Sequence, residues 1–383
     1  MIEQVGQGRM LAGLDETSGS LRRSAALLLI VFAAASLQAV EAAQSSLSEQ
    51  RDAIERTQRQ EGEAILALAD AAMAGKPVPS DFALRWQNDF VKAQRGTFVP
   101  FTLTVDVSRW SKPSALVYVR ATPRAQGSGA KGRKDREPVV ADQASYPVDA
   151  IFPVELERTV GMPARISRGF SVAPGEYDVF VVMRERVDPG TSRPQPKASV
   201  LRQPISVPDF WSNELTTSTM IVADRISLLP EPVPPDQIAE RPYAIGRNEI
   251  TPAVDLKFRK NEELIVVFLV YNPMVTAERQ FDVKVEYHFF RKLAEGSGEV
   301  GRPGPAHLPE LPGETYFNHT DPQRFNPALM GAGFNPGSGE PVMAGQVVPL
   351  SGFQEGDYRL AVQIVDLLSG KSVSRDVFFT IGS

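Results

Sequence analysis

At 383 residues the chain is long enough for two or three domains that each bury a core of their own. Its 42% hydrophobic and 23% charged residues are ordinary globular material, and a formal net charge of -5 leaves no surplus of Lys and Arg for phosphates, which argues against a general nucleic-acid binder. The chain has no cysteine, which removes disulfides, thiol catalysis and Cys-ligated zinc together, so core burial alone must hold the fold.

Near the N-terminus Arg22 and Arg23 precede an apolar run from Ala25 to Ala35, which fades through Ser36 and Gln38 into Val40, Glu41, Ala42 and Ala43. A positive flank, a short apolar stretch and small residues at its exit predict a secretory signal peptide over 1–43, with export to the periplasm, outer envelope or medium. The alternative is an uncleaved anchor, although a spanning helix needs about 20 apolar residues. If uncleaved, this segment would tie the chain to the membrane. The polar leader from Met1 to Ser20 is long for the charged region that opens a signal peptide, and a start at Met10 would make it more ordinary.

Residues 44–80 read as a helical stalk. Ser46 and Glu49 have capping-box spacing, Ile65, Leu68, Ala69 and Ala72 share a face, and Gly75 followed by Pro77 ends the run. Asp81 to Gln94, with Phe82, Leu84, Trp86 and Phe90, reads as a short helix or turn. From Thr97 the apolar period changes to two, predicting a first sandwich over 81–210. A Pro-rich linker over 211–246 follows, stiffened by Pro230 to Pro235 and holding one possible strand, Leu215 to Leu229. The second sandwich, 247–383, carries a Gly/Pro-rich insertion over 293–345.

One short pattern occurs twice. Val172 to Tyr177 reads Val-Ala-Pro-Gly-Glu-Tyr and Phe353 to Tyr358 reads Phe-Gln-Glu-Gly-Asp-Tyr. Each runs into an alternating strand, and each is followed by a Ser-Val-x-Arg start, Ser199 to Arg202 and Ser372 to Arg375. Gly175 with Tyr177 and Gly356 with Tyr358 have the form of a tyrosine corner, in which a glycine permits the turn and the phenol bonds back to the backbone. The predicted fold class is therefore mainly β: two tandem immunoglobulin/fibronectin III-like antiparallel β-sandwiches, preceded by a signal peptide and an N-terminal helix.

Motifs that would carry chemistry are incomplete, and no catalytic residue, cofactor or metal is expected. Asp106 to Trp110 puts Trp110 where a metal-binding Asp-x-Ser-x-Ser loop needs its second Ser. Gly127 to Gly132 has phosphate-loop glycine spacing without the Lys-Ser/Thr ending, and reads as a basic hairpin tip whose Arg133 and Lys134 could meet an acidic partner or anionic lipid. His288 shares a strand face with Lys284 and Glu286, opposite Val283, Val285 and Tyr287, which predicts a solvent-facing side chain. His307 and His319 lie in the insertion, where Asn318, His319, Thr320 and Asp321 lack a second nearby His or a nucleophile. Tyr316, Phe317, Phe325 and Phe334 of the insertion, with Trp86, Trp110 and Trp211, raise polysaccharide stacking as an alternative to core packing.

Residues Trp86 to Phe90 with Gly96 to Val105, and later Phe210 to Thr217, Glu240 to Gly246 and Glu355 to Leu360, carry a resemblance. Over about residues 81–383 the chain resembles the β-rich regions of secreted bacterial proteins found with von Willebrand A-related or GWxTD domains. It has neither the Gly-Trp-x-Thr-Asp motif nor a complete metal-binding loop. The resemblance implies an exported, non-enzymatic accessory protein; apart from it, the sequence reading expects an unknown envelope protein as partner, with polysaccharide as the alternative.

Overall fold

A computed structural model describes residues 52, 54–108, 110, 113–124, 146–156, 162–187, 195–294, 301–331 and 333–382. The signal-peptide segment 1–43 and the basic tip with Arg133 and Lys134 lie outside the described residues. The chain divides into two compact units, residues 1–63 with 187–193 and residues 64–186 with 194–383. In the first, residues 54–63 are helical and the Glu61 carboxylate accepts a hydrogen bond from Val187 N at 2.5 Å. The second holds every described strand and is mainly β, in sheets that are antiparallel apart from one short parallel pairing. Among the described residues no helix is long and apolar enough to cross a membrane.

The first half contributes β1 (Leu84–Asn88), β2 (Val91–Lys92), β3 (Thr97–Val105), β4 (Ser114–Pro123), β5 (Val148–Glu155), β6 (Ala164–Val172), β7 (Gly175–Glu185) and β8 (Ala198–Val207). β3 pairs along its whole length with β6, so β1 and β2 share its other edge; the facing sheet runs β5-β4-β7-β8. Val99, Phe101 and Leu103 alternate inward from β3 and meet Val117, Val179 and Val181 from the other sheet in one core. Apolar alternation on both sides thus produces a sandwich-like pair of layers.

In the second half the strands are β9 (Thr216–Thr217), β10 (Ile221–Leu228), β11 (Ala244–Ile245), β12 (Asn248–Pro252), β13 (Lys257–Arg259) and β14 (Glu263–Tyr271), then β15 (Val283–Lys292), β16 (Glu314–His319), β17 (Gln323–Phe325), β18 (Val342–Pro349), β19 (Gly356–Asp366) and β20 (Ser372–Gly382). β14 lies between β18 and the pair β9/β10, while β15 carries β16 and β17 on one edge and β19, then β20, on the other. This is the strand order of the first half. Even the broken first strand recurs: β1 and β9 pair with the C-terminal part of the central strand, β2 and β10 with its N-terminal part. Only β11, β12 and β13, inserted ahead of β14, have no counterpart. The second core joins Phe268 and Val270 to Tyr287, Phe289, Leu360 and Val362.

Three expectations change. Asp81 to Gln94 forms β1 and β2 rather than a helix, because β3 offers its edge and Trp86 stacks on Phe101 with ring centroids 4.2 Å apart. Residues 211–246 are more than a linker: β9 and β10 lie within them as integral strands of the second half. The 293–345 segment supplies β16, β17 and the first residues of β18 to the sheets.

The halves meet through buried polar contacts. Asp89, in the bend between β1 and β2, accepts hydrogen bonds from the Thr219 hydroxyl at 2.9 Å and the Tyr243 hydroxyl at 3.0 Å. Lys92 N donates to the Tyr271 hydroxyl at 3.0 Å, and Phe90 and Val91 pack against Phe210, Leu269 and Tyr271.

Candidate functional site

The two copies of the Gly-x-Tyr pattern open β7 and β19. Gly175 and Gly356 sit at φ +149° and +142°, where a side chain would be strained. Tyr177 and Tyr358 are buried, and each hydroxyl donates to the carbonyl four residues upstream, Ala173 at 3.0 Å and Gln354 at 2.9 Å. Tyr358→Phe strands the Gln354 carbonyl, and the Gln354 N–H that donates to the same hydroxyl, so a loss of about 1–3 kcal/mol is expected in urea unfolding. A change of a few tenths would remove the corner from the account.

β7 and β19 are buried on both faces over most of their length, and for different reasons. The outer face of β7 is covered by the helical residues 64–73, where Ile65 and Ala69 pack on Tyr118 and Val182. Over β19 the cover is the returning segment before β16, with Leu308 against Phe290 and Ala361. The residue after each tyrosine is charged, and the charges are reversed. Asp178 accepts from Arg202 at 2.7 Å; Arg359 donates to Asp376 at 2.9 Å. Strand register makes Arg202 and Asp376 equivalent, since they face Phe180 and Ala361. The Ser-Val-x-Arg starts are consequently one residue out of phase: Ser199 faces inward and is buried, whereas Ser372 is exposed. Arg359 also binds the Glu314 carboxylate at 2.7 Å and the Pro309 carbonyl at 3.1 Å, and lies 4.3 Å over the Phe290 ring.

All three histidines of the chain converge beside this network. His288 is 7% exposed, which corrects the solvent-facing expectation. Its strand face does point away from the core, but β16 and the preceding segment fold over it. His288 is the direct cross-strand neighbour of His319, and its ring lies 5.9 Å from that of His307. The Tyr316 hydroxyl sits between two imidazoles, 3.2 Å from His288 Nδ1 and 3.1 Å from His319 Nδ1. His288 Nε2 is buried without a hydrogen-bond partner. Burial lowers the His288 pKa, keeping the ring neutral. Glu286 completes the group: Oε2 is 3.7 Å from His307 Nε2, and Oε1 is 3.2 Å from Lys284 Nζ. One possible ligand atom each from Glu286, His288 and His307 all lie within 4.8 Å of one another.

Other sequence candidates are occupied by packing. Phe317, Phe325 and Phe334 lean on the second core, Phe317 against Phe353 and Phe334 against Phe281, and Tyr316 packs edge-on to Phe290. None of these four aromatics is a freely exposed platform. Trp110 is buried against Phe82, and the Asp106 carboxylate accepts from Ser108 N. Trp211 is half exposed, with Lys92 Nζ 4.5 Å over its ring.

One of the exposed large apolar side chains stands on β20. Phe378 points outward and is 56% exposed, between two cavities. One, of about 500 Å³, is lined by Leu256, Leu311, Glu314 and Tyr358; the other, of about 620 Å³, by Asp89, Phe90, Phe210 and Arg375. Phe378 falls in the outward phase of β20 with Ser374, Asp376 and Thr380, while Val377 and Phe379 point inward.

No family model and no curated protein matches the chain. Among solved structures it is similar to the crystal structure of Salmonella alpha-2-macroglobulin reacted with methylamine, at 12% sequence identity and a TM-score of 0.20. That match covers 80% of this chain and 17% of the macroglobulin chain. So low a score carries no argument about fold or function.

Proposed function

We propose that the chain is an exported, non-enzymatic accessory protein of the bacterial cell envelope, built from two tandem immunoglobulin/fibronectin III-like sandwiches, which works by binding another protein. The repeated strand order and the paired Gly-x-Tyr corners support the tandem reading. The single observation that carries the contact reading is Phe378, a large apolar side chain held outward on a rigid strand with a cavity on either side. An aromatic beside concave surface is the usual form of an interface anchor. The resemblance to β-rich regions of secreted bacterial proteins agrees with this reading.

Phe378→Asp tests it. The side chain faces solvent, so the variant should unfold at the same urea concentration as the parent. Capture of the partner from envelope extracts by the tagged full chain should fall at least tenfold. Undiminished capture would remove the β20 face from the proposal.

A further inference from the structure

We propose that Glu286, His288 and His307 form a binding site for one divalent transition-metal ion of the zinc class. The inference is independent of the contact function, since it rests on a different set of residues.

Two observations carry it. The first is convergence: two imidazoles and a carboxylate, the donor set that suits zinc with a fourth position left for water, present ligand atoms within 4.8 Å of one another. Tetrahedral bonds of about 2.1 Å place neighbouring ligand atoms about 3.4 Å apart. The 3.7 Å between Glu286 Oε2 and His307 Nε2 is close to that, and the His307 side chain, 48% exposed, closes the site on its solvent side. The second is the orphaned His288 Nε2, buried with no hydrogen-bond partner. An imidazole nitrogen hidden from water loses its solvation without replacement unless something occupies that position.

The surrounding bonds fix the ring for ligation. With Nε2 committed to a cation, the proton of neutral His288 sits on Nδ1 and is donated to the Tyr316 oxygen at 3.2 Å; the Tyr316 hydroxyl then donates to His319 Nδ1 at 3.1 Å. A ligand histidine commonly has its second nitrogen held in this way. Tyr316 and His319 are therefore positioning residues. Lys284 engages Glu286 Oε1 at 3.2 Å, which leaves Oε2 for the ion. The Arg302 guanidinium lies 4.9 Å over the Tyr316 ring. No cysteine is needed, and the chain has none.

The test uses the full mature chain purified without a polyhistidine tag, stripped with a chelator, then titrated with Zn2+ by calorimetry and with Co2+ by visible absorption. The expected result is one equivalent bound with micromolar or tighter affinity, and a Co2+ spectrum of tetrahedral intensity. His307→Ala and Glu286→Gln each lower the affinity at least tenfold while leaving the circular dichroism of the metal-free protein unchanged. Tyr316→Phe lowers it about tenfold, in the range of lost outer partners. Absence of a saturable equivalent, or binding insensitive to both His307→Ala and Glu286→Gln, would overturn the proposal.

Discussion

Replacing Arg359 by Ala should lower the free energy of unfolding by about 3–5 kcal/mol, the largest effect expected of any single substitution in the sheet. Arg359 is 1% exposed, yet its guanidinium satisfies Glu314, Asp376 and the Pro309 carbonyl and lies against Phe290. Removing it leaves the Glu314 side chain, itself only 11% exposed, as an uncompensated buried charge and frees the segment that covers β19. Arg359→Met keeps the apolar stem and should still cost most of this. Adding Glu314→Gln should recover part of the loss, because the stranded carboxylate is then gone. Urea unfolding of the parent, Arg359→Met, Glu314→Gln and the double variant forms a double-mutant cycle, and a coupling energy near zero would show that the pair is not what holds the segment down.

Asp89→Asn should do the opposite and stabilise the protein at neutral pH. Burial pushes the Asp89 carboxyl up to about 6 from an ordinary 3.8, against the opposing hydrogen bonds from Thr219 and Tyr243. A carboxyl whose pKa is raised on folding prefers its proton in the folded state, so the native state is penalised once that proton is lost. The penalty is absent below about pH 3.8, builds between about 3.8 and 6, and is complete above that window, reaching about 3 kcal/mol at most. Asn keeps an acceptor for Thr219 and a polar contact for Tyr243 without the charge. Urea midpoints at pH 5 and pH 8 check the sign: Asn should gain more over Asp at pH 8 than at pH 5. An equal or reversed difference would mean the bend is not desolvated as described.

What the sequence made legible was the part encoded in short-range pattern. Alternation from Thr97 onward marked strands, and the paired Gly-x-Tyr signatures marked the equivalent strands β7 and β19. What it hid depended on residues distant in the chain. Leu84, Trp86 and Phe90 look like a helical face or a turn until β3 offers an edge to pair with. The Pro-rich 211–246 segment looks like a linker because the strand pairing of Ile221, Val222 and Ala223 comes from residues 265–267. His288 follows the outward phase of its strand correctly; what buries it is a cover contributed by residues 307–319. One signal was present and went unread: all three histidines of the chain fall between His288 and His319. Whether Phe317, Phe325 and Phe334 of the insertion serve a surface or the core likewise depends on strands distant in the chain. Their hydrophobicity serves the second core, whereas Phe378 follows the outward phase of β20 and stays exposed.

The same geometry changes how the contact function should be tested. Deleting 293–345 would strip β16, β17 and two partners of Arg359, Glu314 and the Pro309 carbonyl, so it would report on folding as much as on binding. The direct measurement places a photoreactive phenylalanine analogue at Phe378 in the full chain, with a control at Val347, which is 49% exposed on β18, and crosslinks in living cells before mass spectrometry. The contact reading predicts one discrete protein adduct from position 378 that is absent from position 347. Equal or no protein capture at the two positions would contradict it.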